Sequence, residues 1–99
     1  MPRRAREDAP NTIHHVTARG NDRRPIVLDD ADRMAFLRRL RAICERQGLV
    51  VHGYCVMDTH VHLVVQTSSG SLTHAMRFLF GGYAHSFNKR HRRTGHLFE

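Results

Sequence analysis

The sequence predicts an α+β fold: a ferredoxin-like split βαβ domain whose antiparallel sheet carries two helices on one face and leaves the other face open. Three observations predict it. Hydrophobic periodicity switches along the chain in the order strand, helix, strand, strand, helix, strand. The segment His60 to Gln66 alternates apolar and polar residues, as a sheet with one covered and one open face requires. With 99 residues there is room for one small domain and no large enclosed cavity.

Residues 1–10 carry Pro2, Pro10 and the run Arg3-Arg4-Ala5-Arg6, and read as a basic N-terminal arm. Residues 11–99 contain no repeat, linker or low-complexity tract and read as one domain. Asn11 to Ala18 is β-branched and partly alternating, with Val16 and Ala18 toward the helices and His15 and Thr17 on the opposite face. Gly20-Asn21-Asp22-Arg23-Arg24-Pro25 is a loop by composition. Asp29 and Asp30 offer N-caps for a helix to about Gln47, closed by Gly48, with Met34, Leu37, Leu40, Ile43 and Cys44 as its buried stripe.

Leu49 to Met57 is the second strand, and Asp58-Thr59 is a tight connection into the third, His60 to Gln66, forming an antiparallel hairpin. Thr67-Ser68-Ser69-Gly70-Ser71 is turn and cap material. A second helix runs to about Lys89 with Leu72, Ala75, Met76, Leu79, Tyr83 and Phe87 on one stripe. Within it Gly81-Gly82 costs about 1 kcal/mol per glycine relative to alanine, which points to close packing on the sheet or to a kink. After a basic turn, His96-Leu97-Phe98-Glu99 resembles the opening of a fourth strand.

His60-Val61-His62 is the strongest chemical signal. Side chains alternate along a strand, so Val61, Leu63 and Val65 must face the helices and both imidazoles share the open face, where His15, Thr17 and Gln66 could join them. Two imidazoles on one face can hold one divalent metal ion. Two half-exposed histidines making ordinary hydrogen bonds give the same pattern, and the motif alone does not separate the two readings.

Charge narrows the partner. Sixteen Lys and Arg against nine Asp and Glu give a net charge of +7, mostly carried by arginine, which suits bidentate phosphate contact. Arg19, Asn21, Arg23, Arg24, Lys89, Arg90, Arg92 and Arg93 flank the open face and are the expected nucleic-acid contacts. The two cysteines, Cys44 and Cys55, lack metal-ligand spacing and read as small buried residues in a reduced, cytoplasmic protein. No secretory signal or membrane-length apolar run is present in the sequence.

Four segments in one register resemble a known family: His15-Val16-Thr17-Ala18-Arg19-Gly20-Asn21; Leu28 to Arg33 followed by Phe36-Leu37; Tyr54 to Val64; and Phe87 to His91 with Gly95-His96-Leu97-Phe98. Together they are similar to the REP-associated tyrosine transposases, within the HUH (His-hydrophobic-His) single-strand transposases. That resemblance implies a metal-dependent DNA strand transferase acting on single-stranded or hairpin DNA, with homodimerisation left open. It implies Mg²⁺ or Mn²⁺ held by His60 and His62 to polarise the scissile phosphate, and a tyrosine that attacks to leave a 5′-phosphotyrosine. The family's tyrosine lies on a further helix beyond the fourth strand, with an additional polar ligand, so the chain is expected to be C-terminally truncated relative to the family. Tyr54 belongs to the strand pairing, and Tyr83, the remaining catalytic candidate, lies on an apolar helical stripe.

Two alternatives stay open. A histidine-triad-like phosphate-bond hydrolase also uses alternating histidines, but the third alternating position here is Val64. A non-catalytic nucleic-acid-binding module of RNA-recognition type shares the topology, yet normally displays stacking aromatics where this strand displays His60, His62, Val64 and Gln66.

Overall fold

The computed structural model describes residues 11–68 and 71–99; the basic arm expected at 1–10, and Ser69 and Gly70 of the expected turn, lie outside the described residues. The elements are β1 (Ile13–Arg19), a short 3₁₀ turn (Asn21–Arg23), α1 (Asp30–Gln47), β2 (Leu49–Val56), β3 (His60–Thr67) and α2 (Leu72–His91). The three strands form an antiparallel sheet in the order β1-β3-β2, which leaves β3, the histidine strand, in the centre. The expected fourth strand is reduced to a bridge between Gly20 and Phe98, beside which the Glu99 N–H donates to the Arg19 carbonyl at 2.9 Å.

Local chemistry sets the helix ends. Asp29 is extended and its carboxylate accepts the Asp32 N–H at 2.9 Å, while Gly48 closes α1 in the left-handed conformation at φ 69°. Ser71 caps α2 by accepting the His74 N–H, and α2 continues two residues past its expected end before Arg92 turns left-handed at φ 55°. No kink interrupts α2 at Gly81-Gly82. A side chain at Gly82 would meet the Arg39 guanidinium, the flexible end of an α1 side chain, so what approaches there is a side chain of α1.

Val61, Leu63 and Val65 of β3 are fully buried beneath Phe36, Leu40 and Ile43 of α1 and Leu72, Ala75, Leu79, Tyr83 and Phe87 of α2. The α1 stripe differs from expectation. Phe36 is in the core, whereas Met34 is 50% exposed and Leu37 and Cys44 sit at the margin. Two residues along a helix is a rotation of about 200°, so a stripe centred on Phe36 necessarily turns Met34 outward.

The β2–β3 hairpin is closed by the Met57 N–H donating to the His60 carbonyl at 2.9 Å across Asp58-Thr59. In β2, Val51 pairs with Val65 and Gly53 with Val64, so His52 is an extra residue and the strand is bulged. Beyond the bulge the faces exchange. Tyr54 and Val56, opposite Leu63 and Val61, lie on the helix side, and Cys55, opposite His62, lies on the open face. Cys55 is therefore exposed, correcting the buried reading; Cys44 is half-buried and its thiol is pushed up in pKa, first by burial and then by Glu45. Among the described residues no helix is long and apolar enough to cross a membrane.

Candidate functional site

Strand register builds the site. Across the β1–β3 pair Arg19 stands opposite His60, Thr17 opposite His62 and His15 opposite Val64, and directly opposed residues share a face. Because Val61, Leu63 and Val65 fill the core, His60 and His62 occupy the open face with His15, Thr17 and Arg19 from β1 and Cys55 from β2. The His15 Nε2 lies 3.3 Å from the His62 Nδ1, and the Thr17 Oγ1 lies at the same distance from that nitrogen. The His60 ring stands edge-on to His62, centroids 5.0 Å apart, with its Nδ1 3.2 Å from the Thr59 Oγ1. Farther along the strand, His52 and Gln66 join at 2.7 Å. Among the described residues no group of three or more His, Cys, Asp or Glu side chains converges as a preformed metal site.

The basic side chains divide into two sets. Arg24, Arg92 and Arg93 line a recess of about 500 Å³ with Pro25 and Thr94, near the end of β1 where Arg19 faces His60. Gly20 allows the loop to fold that tightly, because a Cβ there would collide with the Arg24 carbonyl. Arg23 and Lys89 are exposed, while Asn21 uses its backbone to accept the Arg24 N–H and to donate to Leu97. Arg93 also reaches back over the Phe87 ring, its guanidinium carbon 5.7 Å from the centroid.

Arg90, expected among the nucleic-acid contacts, is committed elsewhere. Its guanidinium grips Asp29 through both carboxylate oxygens at 2.9 and 3.0 Å and donates to Asp32 at 2.6 Å, while His91 lies 2.8 Å from the buried Asp32 carboxylate. This clasp ties the end of α2 to the start of α1. The Arg90 hydrogen bond, and then the Asp32 backbone N–H, hold the Asp29 carboxyl below the usual carboxylate range. Asp58, next but one to His60 in sequence, accepts the Ile26 N–H at its carbonyl and has its carboxylate 3.7 Å from Arg33; the hydroxyl beside His60 is that of Thr59.

The architecture and this face invite comparison with known proteins. A crystal structure of a candidate transposase from Deinococcus radiodurans R1 superposes with a TM-score of 0.67 at 19% identity, over 83% of this chain and 63% of that one. The chain thus spans less than two thirds of that protein's length. No curated protein matches the chain. The family model described as "Transposase IS200 like" matches residues 9–99. The chain belongs to the IS200-like transposase family.

Within this IS200-like domain neither tyrosine hydroxyl lies on the histidine face. Tyr83 is buried on the helix side of the sheet, and its hydroxyl donates to the Ile26 carbonyl at 2.5 Å. Burial, followed by the nearby Asp32 and Asp29 carboxylates, pushes the phenol well above its ordinary pKa of 10.0. Tyr54 is exposed, but lines a groove against α1 with Leu37, Arg41 and Cys44. His15 is the side chain that spacing in one strand could not pair with His62; only the β1–β3 register brings them together.

Proposed function

We propose that this domain binds single-stranded or hairpin DNA on its open sheet face and is the metal-holding part of a transposase of the REP-associated, HUH type. The observation that carries the reading is the register that sets His60 and His62 on the open face with Arg19 directly opposite His60. Two imidazoles on one face offer a divalent ion two nitrogen donors. His62 presents its Nδ1 to neighbouring polar groups on the sheet surface, and His60 stands beside it on the same face. When bound, Mg²⁺ or Mn²⁺ there would supply Lewis-acid polarisation of a phosphate oxygen.

The remaining work falls to the protein's own side chains. Arg19 offers donors to the phosphate held at the histidines, and Arg24, Arg92 and Arg93 take the adjoining backbone phosphates in their recess, fixing the strand's path. Gly53, opposite Val64 on the β2 side, presents no side chain to the open face, so an unpaired base can approach the sheet there. A second reading, nucleic-acid binding without strand cleavage, is favoured by one observation: both tyrosine hydroxyls lie off the histidine face.

Fluorescence anisotropy with a labelled hairpin, a single strand of equal length and a blunt duplex tests the proposal. Hairpin or single strand should bind more tightly than duplex, with affinity falling steeply as salt rises. Equal affinity for all three, or none at low salt, would overturn it.

A further inference from the structure

We infer that the groove between α1 and α2, on the side of the domain opposite the histidines, is a second nucleic-acid surface that takes the phosphate backbone of a DNA duplex. DNA as the partner rests on the function proposed above; the surface and its residues are separate from it. The groove is a recess of about 400 Å³ lined by Ala35, Arg38, Arg39 and Ala42 of α1 and by Tyr83 and Ser86 of α2. Its charge is unbalanced. The acids of α1 are already engaged, Asp30 with Arg33, Asp32 with Arg90 and Glu45 with Arg41, and α2 contains no acid at all. No carboxylate on either helix is left for Arg38 and Arg39, and neither makes an ion pair among the described residues. Two neighbouring guanidinium groups repel each other until an anion sits between them, and their planar donors suit phosphate.

Gly81-Gly82 is the second observation. Glycine inside a helix weakens it relative to alanine, so a pair of them needs a reason. Packing supplies none at Gly81, where a Cβ would meet nothing within 4 Å, and α2 runs unbroken through both residues. At Gly82 the space a Cβ would fill is taken by the Arg39 guanidinium, which lies across the bare backbone of α2. The bare stretch therefore borders the groove, with the exposed Ser86 one turn farther along the helix. Two glycines let a stiff polyanion lie close to the helix, where Arg38 and Arg39 can donate to its phosphates without reading bases. Tyr83, the aromatic in the lining, is buried, so unpaired bases have nothing to stack on there, whereas a duplex presents its phosphates outward. A single strand on the sheet and a duplex on the helices would occupy opposite sides, so one domain can hold both at once.

Anisotropy of a labelled blunt duplex titrated with the full chain, its open face first saturated with an unlabelled single strand, tests this. Duplex should still bind. Arg38→Gln/Arg39→Gln should lower the duplex slope of log K against log salt by about 1.8, the share of two phosphate contacts, and leave the single-strand slope unchanged. Gly81→Ala should move two readouts in opposite directions: the melting temperature rises, because the new Cβ enters open space on a helix, while duplex affinity falls. Displacement of the duplex by the single strand, or duplex affinity unmoved in either variant, would overturn the second surface. A lower melting temperature in Gly81→Ala would also overturn it, by making that glycine a packing residue. If polyglutamate binds through Arg38 and Arg39 and the duplex does not, the groove takes an acidic protein segment and the inference is wrong. Failure of the single strand to bind, with duplex binding still weakened in Arg38→Gln/Arg39→Gln, removes the open-face reading and leaves the helical surface standing.

Discussion

The Tyr83 hydroxyl donates to the carbonyl oxygen of Ile26, a residue 57 positions earlier in the chain. Ile26 is fully buried, and its own N–H donates to the Asp58 carbonyl at the tip of the β2–β3 hairpin. One phenol thus pins the loop that carries Arg23 and Arg24 to the second helix and, through Ile26, to the hairpin that delivers His60. Tyr83→Phe keeps the ring and strands the carbonyl. It should destabilise the fold by about 1–3 kcal/mol in denaturant unfolding, while leaving Mn²⁺ affinity unchanged.

Replacing both His60 and His62 with alanine should abolish Mn²⁺ binding, because the proposed site then loses two of its ligands. The fold should be little altered, since both side chains stand on the face away from the core. Titration calorimetry and a thermal melt on the same preparation check the two halves of this expectation.

Neutralising Arg92 and Arg93 together should flatten the salt dependence of DNA binding. If each contacts one phosphate of a single strand, the slope of log K against log salt should fall by about 1.4. Arg90→Gln should behave differently. Its guanidinium is held by Asp29 and Asp32, so this change should lower the melting temperature and leave the salt slope nearly intact.

The same clasp sets a pH dependence. Asp29 has a folded-state pKa below its unfolded value of 3.8, so the folded protein binds fewer protons in that range. The stabilisation is fully present above the unfolded value and is lost as pH falls through the depressed folded one. In wild-type protein the melting temperature should therefore drop below about pH 4, and in Arg90→Gln that component of the drop should shrink. Parallel acid titrations followed by circular dichroism would measure it.

Incubated with labelled hairpin DNA and Mn²⁺, this 99-residue chain should give no covalent adduct on a denaturing gel. Nucleophilic transfer needs a hydroxyl in line with the metal-bound phosphate, and the Tyr83 hydroxyl is on the other side of the sheet, bonded to Ile26. An adduct that disappears in Tyr83→Phe would contradict this.

Much of this was legible in the sequence because local rules governed it. Asp29 and Gly48 bracket α1 where capping chemistry places them, and the alternation of β3 assigns His60 and His62 to the open face without knowledge of either neighbouring strand. What stayed hidden depended on partners far away in sequence. Arg90 looked like one more cation in a basic run, and only the approach of α1 shows it to be paired. Met34 fitted a helical period as well as Phe36 did; the position of the sheet beneath the helix chose between them. Cys55 reads as buried because free cysteine usually is, and the bulge that turns it to the open face depends on the pairing of β2 with β3.

That bulge has a consequence for which functional groups can meet. β2 contains one surplus residue relative to β3, and the fold stores it at His52, keeping the hairpin tip at two residues. Stored instead at the tip, as a three-residue turn, the same chain would pair Tyr54 with His62 and Cys55 with Val61. The thiol would go under the helices, and a phenol would come up among the imidazoles. The functional group standing next to His62 is therefore decided by where β2 keeps its spare residue, so the turn Asp58-Thr59, which carries no catalytic group itself, governs the chemistry available to the histidines.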